Sequence, residues 1–212
     1  MSLRNIFKID KIKEKEFFLN RIKGKFDIII LLLNILDYIL LFGLHCKNPI
    51  WTIEIIRKNK MQRIFLFSDK KYYSINFPFL INDNKIFFGS EEIDTHQISI
   101  LRGILLELKD YRNIQLEDLL DIFYHNEWSD YKYGWDDNNR LFNIFYNLLI
   151  MDDWYIRYDY DEKSENWNKH PLCHYDIFYS NQNWIKIWLN KAINKDAFID
   201  MIDPTTDCHF LQ

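Results

Sequence analysis

The chain has 212 residues, of which 48% are hydrophobic and 17% aromatic, enough to bury a core and to exclude wholesale disorder. Its five glycines and four prolines exclude collagen-like and linker-rich designs. Gly24, Gly43, Gly89, Gly103 and Gly134 stand too far apart for a G-x-G-x-x-G or Walker A phosphate cradle. The formal charge of −4 hides an asymmetry, because residues 1–75 carry 15 basic and 7 acidic side chains, net +8, and the remainder 12 and 24, net −12.

In chain order, residues 5–22 mix Lys and Glu with Ile6, Ile9, Ile12, Phe17, Phe18 and Ile22, which predicts a charged amphipathic helix. Phe26 to Leu44 is nearly all apolar and long enough to span a bilayer. Asp27, Asn34, Asp37 and His45 fall along one side of it, and a central Asp costs about 2.5–3.5 kcal/mol in a membrane. A core helix with one polar stripe is therefore expected, and a membrane partner is not. Trp51–Ile56, Arg63–Phe67, Tyr72–Phe77 and Lys85–Phe88 are short aromatic or β-branched runs with polar breaks, the pattern of a β-meander.

Helical spacing returns with Ile98, Leu101, Leu105 and Leu108 behind a cap at Asp94 or Thr95, and again with Leu116, Leu119, Leu120 and Phe123. Residues 126–139 read as a polar, aromatic loop. Asp136 or Asp137 then caps a helix carrying Leu141, Ile144, Phe145, Leu148 and Leu149. The tail alternates. Trp154, Ile156, Tyr158 and Tyr160 oppose Tyr155, Arg157, Asp159 and Asp161; Tyr175, Ile177 and Tyr179 oppose His174 and Asp176; Ile185, Ile187 and Leu189 oppose Trp184, Lys186 and Trp188. A helix from Asn194 to Ile202, with Ala197, Phe198, Met201 and Ile202 as its apolar face, ends before Pro204.

The fold class is α+β: N-terminal helices, a central antiparallel meander, a helical middle, and a C-terminal antiparallel sheet with a final helix. One domain spans residues 1–212, with the helical residues 1–48 as a candidate separate appendage. Cys46, Cys173 and Cys208, an odd number, with no secretory pattern over Met1 to Asp10, lead to the expectation of reduced thiols in a cytoplasm.

If the last three strands are neighbours, Arg157, Asp159, Asp161, His174, Asp176 and Lys186 share one face, with His170 and Pro171 at its rim. Carboxylates two apart on a strand point the same way, and can hold a divalent metal or raise one another's pKa. Asp159, Asp161, His174 and Asp176 are the candidate metal ligands. Asp159, Asp161, His174 and Lys186 are the candidate catalytic groups, the Lys standing near an attacking water. The simpler alternative is a set of strand-surface ion pairs around Arg157, with His170 shaping a turn and His174 bonding a carbonyl. Zinc at Cys173, His174, Cys208 and His209 lacks a C-x-x-C or H-E-x-x-H spacing.

Arg157-Tyr158-Asp159-Tyr160-Asp161, His170-Pro171-Leu172-Cys173-His174 and Phe198-Ile199-Asp200-Met201-Ile202 resemble the C-terminal signature of a family of uncharacterised bacterial proteins. That signature reads R-F-D-Y-D, H-P-x-S-H, a strand ending near R-I-P, and F-I-x-F-I. The likeness covers about the last 55 residues, with Cys173 in place of the Ser and no Pro near Leu189. It implies an accessory role in bacterial mobile or defence loci and no particular reaction.

The first functional expectation is a non-enzymatic cytoplasmic interaction protein, an accessory subunit of a defence or toxin-neutralising system. Its acidic majority would bind a basic protein partner through Trp128, Tyr131, Tyr133, Trp135, Arg157 and His170, since Trp, Tyr and Arg dominate interface hot spots. No cofactor is needed for that role. The basic N-terminal region offers a second face, for nucleic acid. The alternative is a metal-dependent, nuclease-like hydrolase built on Asp159, Asp161, His174 and Asp176, which requires a divalent metal.

Overall fold

The computed structural model describes residues 3–20, 22–42, 46, 48–83, 85–108, 115–124, 135–166, 169–180 and 183–207. In chain order the elements are β1 (Leu3–Asp10), α1 (Lys25–Phe42), β2 (Pro49–Lys58), β3 (Met61–Phe67), β4 (Lys71–Asn76), β5 (Phe79–Asn82), β6 (Lys85–Phe88) and β7 (Glu91–Ile93). Then follow α2 (Thr95–Leu108), α3 (Leu116–Tyr124), α4 (Trp135–Ile150), β8 (Ile156–Tyr160), β9 (Cys173–Ser180), β10 (Asn183–Trp188) and α5 (Lys195–Ile202). The fold is α+β, as its periodicities predict.

The chain divides into two compact units: Met1–Gly24, Phe42–Phe77 and Asp152–Gln212 in one, Lys25–Leu41 and Pro78–Met151 in the other. Of the N-terminal region, Met1–Gly24 thus falls in the first unit and Lys25–Leu41 in the second.

The first unit is built on one antiparallel sheet in the order β1-β2-β3-β4-β8-β9-β10. Two expectations change here. The predicted helix over residues 5–22 is instead strand β1, followed by a 3₁₀ turn over Lys11–Lys13 and a π-helical turn over Lys15–Leu19. Phe7 and Ile9 alternate inward while β1 pairs with β2 from Leu3↔Arg57 to Ile9↔Trp51; long-range pairing overrides a local spacing that also suits a helix. The central meander and the C-terminal sheet, expected as two, are one sheet, because β4 pairs with β8 through Lys71↔Asp159 and Tyr73↔Arg157.

One face of this sheet buries an aromatic core. Phe65, Phe67, Tyr158 and Tyr175 pack with Phe198 of α5, whose N-cap Asn194 accepts a hydrogen bond from the Ala197 amide at 2.9 Å. Of the four residues expected on the apolar face of α5, Phe198 is fully buried and Ala197 is exposed.

The second unit holds the three-stranded sheet β5-β6-β7 and helices α1 to α4. The Lys85–Phe88 run thus belongs to a separate sheet from the rest of the expected meander. In α1 the polar stripe has a purpose: Arg102 of α2 donates to Asn34 Oδ1 at 3.0 Å and lies 3.7 Å from Asp37 Oδ2. His45, assigned to the same stripe, lies outside the described residues. Asp94 and Gln97 form a reciprocal capping box at the start of α2. The helix expected to begin behind Asp136 or Asp137 starts at Trp135. Among the described residues no helix is long and apolar enough to cross a membrane.

Candidate functional site

The tail sheet forms as its alternation predicts, and its polar face converges. Register places Arg157 opposite Asp176 and Asp159 opposite His174 across β8 and β9, with Lys186 of β10 opposite Asp176. On the other side of β8, Tyr73 of β4 faces Arg157. Because strand side chains alternate, all six project from one face, the one opposite the α5 core.

Arg157 is the hub. Its Nε lies 2.7 Å from Asp159 Oδ2 and its guanidinium donates to Asp176 Oδ2, so one cation bridges two carboxylates. Burial works against the Arg157 charge, but Tyr155, Asp159, Tyr73 and Asp176 together hold its pKa above the ordinary arginine value. Arg157, expected as a docking contact, therefore spends its guanidinium inside the protein. Burial likewise pushes the hydroxyls of Tyr73 and Tyr155 well up, and the Tyr73 hydroxyl donates to the Phe18 carbonyl at 2.9 Å.

His174 is fully buried, and Asp159 and Asp176 are 4% and 6% exposed, a depth at which unpaired polar atoms are costly. His174 Nδ1 lies 2.8 Å from the Pro171 carbonyl; a carbonyl only accepts, so Nδ1 carries a proton, and in the neutral ring that burial favours Nε2 keeps its lone pair. That Nε2 sits 3.6 Å from Asp159 Oδ2 and 4.0 Å from Asp176 Oδ2 and has no hydrogen-bond partner. Asp159 Oδ1 and Asp176 Oδ1 are also buried and make no hydrogen bond, although Lys186 Nζ pairs with the latter at 3.7 Å. Each of the three residues offers a ligand atom within 4.8 Å of the others'.

Those separations suit a cation. Two ligands at about 2.1 Å from a tetrahedral divalent metal stand about 3.4 Å apart. The second partner that orients a metal-binding His, a carbonyl on its other ring nitrogen, is already in place. With His174 neutral, Arg157 and Lys186 balance Asp159 and Asp176. A divalent cation would therefore make the cluster net positive.

Asp161, expected as a fourth ligand, stands apart at the end of β8. Its Oδ1 accepts from the Lys163 and Ser164 amides at 3.1 Å each, and its Oδ2 lies 3.2 Å from His170 Nε2. Burial pushes its carboxyl up, but the Ser164 and Lys163 hydrogen bonds and His170 outweigh that and hold it below its ordinary value. Lys186 Nζ donates to His170 Nδ1 at 3.0 Å and lies 3.7 Å from Asp176 Oδ1. With the His170 and His174 rings 4.6 Å apart, a rim of partly exposed Lys186, His170 and Asp161 leads to the buried triad.

Trp128, Tyr131 and Tyr133 of the proposed docking loop lie outside the described residues, as do Cys208 and His209. Trp135 opens α4, and its side chain is outside the description too. Tyr73 and Tyr155 were not anticipated. Tyr155 shares the alternation of Arg157 and was legible; Tyr73 lies far away in sequence and joins only through the β4–β8 pairing. Comparisons with protein-family models, with curated proteins and with solved structures found no match to this chain.

Burial lowers the His174 pKa below its ordinary 6.5, against the pull of the Pro171 carbonyl, Asp176 and Asp159. The unfolded chain then takes up that proton near 6.5 and the folded chain only at lower pH. Stability should be complete above about 6.5 and fall as the pH drops below it. Denaturant titrations at several pH values check this: His174→Asn should flatten the loss over that window, and an unchanged slope would contradict it.

Proposed function

We propose that the protein is a divalent-metal-dependent hydrolase acting on an anionic, phosphoester-type substrate, with Asp159, His174 and Asp176 as ligands. What carries the reading is the buried Nε2 of His174, without a hydrogen bond and aimed at two carboxylates, each with a buried oxygen that makes no hydrogen bond of its own. A lone pair facing two anions is unfavourable until a cation lies between them. A divalent cation there would polarise a phosphoryl oxygen and acidify a water. Lys186, part-exposed at the rim, stands where it would meet the substrate. The net positive charge of the loaded cluster favours an anion. The competing role, an interaction subunit of a defence or toxin-neutralising system, is supported by the resemblance of the last 55 residues and rests on a loop mostly outside the described residues.

Thermal melting with Mg²⁺, Mn²⁺ and Zn²⁺ tests the site. At about 100 times Kd a cation stabilises by roughly 2.7 kcal/mol, a shift of roughly 5–11 °C. An Asp159→Asn, Asp176→Asn double variant should abolish the shift, and Lys186→Ala should keep it while losing hydrolysis of bis(p-nitrophenyl) phosphate. Wild-type protein that melts identically with all three metals has no such site. Protein that binds metal but does not hydrolyse the diester uses the cation structurally, and the hydrolase reading then fails.

A further inference from the structure

The other face of the same sheet holds a second buried cation with a different environment. Arg63 of β3 is 6% exposed. Its Nε donates to Ser74 Oγ at 2.8 Å, its Nη1 to Asn76 Oδ1 at 2.7 Å, and its Nη2 to the Trp154 carbonyl. All three acceptors are neutral, so two of its five N–H groups and its whole charge are left over. Among the described residues no carboxylate forms an ion pair with it. Asp203, the chain neighbour of Pro204, is already bound to Lys58 at 2.7 Å and to the Thr205 hydroxyl. Burial alone acts on Arg63, pushing its pKa down to about 10, with no anion to restore it. Buried guanidinium groups are ordinarily paired, because an uncompensated charge costs several kcal/mol.

Arg63 lines a cavity of about 360 Å³. Lys60, from the β2–β3 turn, supplies a second, exposed cation, and Asn76 a polar wall. Trp154, Met201 and Pro204 make the rest largely apolar. Trp154 holds a left-handed backbone (φ 43°), and the residue is 57% exposed while lining the cavity. Such a conformation costs a non-glycine residue about 1–3 kcal/mol and gathers at ligand sites.

We propose that this cavity binds a small organic carboxylate, its oxygens on Arg63 and Lys60 and its apolar body against Trp154, Met201 and Pro204. The volume lies at the small end of ligand pockets, roughly 300–1,000 Å³. A planar carboxylate matches two remaining guanidinium N–H groups, whereas a phosphate dianion asks for more donors than this wall offers. The site is on the opposite face from the Asp159–His174–Asp176 cluster and does not depend on it.

Benzoate and hexanoate are the carboxylate probes, benzyl alcohol the neutral control and inorganic phosphate the competing anion, with the Trp154 indole N–H resonance as the reporter. Benzoate should shift that resonance saturably with or without divalent metal, and benzyl alcohol should not. Arg63→Gln should weaken benzoate binding by at least about tenfold. Lys60→Glu, at an exposed turn that cannot unfold the sheet, should weaken it several-fold and decides the matter if Arg63→Gln does not fold. No shift at ~10 mM benzoate, equal binding of benzyl alcohol, tighter binding of phosphate, or wild-type affinity in Lys60→Glu would each overturn the proposal.

Discussion

Arg157→Met is expected to destabilise the protein by about 3–5 kcal/mol at neutral pH, the cost of breaking a buried ion pair from one side. Arg157 is the common partner of Asp159 and Asp176, and both carboxylates are buried. Without it two like charges face each other at low dielectric, with Lys186 at 3.7 Å from Asp176 as the remaining counter-charge. One carboxyl should then take up a proton, so the variant's deficit should shrink on mild acidification, where the wild type loses stability through His174. Mn²⁺ should stabilise the variant more than the wild type, since a cation at the triad replaces the lost charge. Denaturant unfolding at two pH values, with and without Mn²⁺, reads all three effects. A loss under about 1 kcal/mol would mean that the bridge is no more than a surface pair.

Phe198→Ala should cost a comparable amount, about 3–5 kcal/mol, for a different reason. Phe198 is fully buried, and its ring lies 5.8–6.4 Å from those of Phe65, Phe67, Tyr72 and Tyr175. Truncation leaves a cavity among rigid aromatics that cannot collapse onto it. At eight residues α5 is too short to be stable alone, so it depends on this one anchor. Amide hydrogen exchange in Lys195–Ile202 should accelerate far more than in β3, and Phe198→Leu should recover most of the loss. Even exchange across both elements would show that the helix is held otherwise.

The candidate site was half visible beforehand because strand alternation is a local property. Arg157 and Asp159 two apart, and His174 and Asp176 two apart, must each project together once the segments are strands. Asp161 keeps that parity yet lies past the last ladder pair, so the turn amides and His170 claim it in place of the cluster. The docking surface assigned to Trp128, Tyr131 and Tyr133 had no periodic element behind it, only composition.

From its sequence alone this chain determined which segments carry helical and which carry alternating periods, and therefore its α+β class, its core helix α1 and the two-sided character of β8 and β9. Tertiary structure decided the partners. Residues 5–10 satisfy a helix spacing and a strand alternation equally well, and the edge of β2 selected the strand. Tyr73 meets Arg157, and Arg63 meets the Trp154 carbonyl, because β4 pairs with β8 and joins stretches some eighty to ninety residues apart. No local period encodes such a register: it is set by which edges find each other when both faces of the sheet are buried at once.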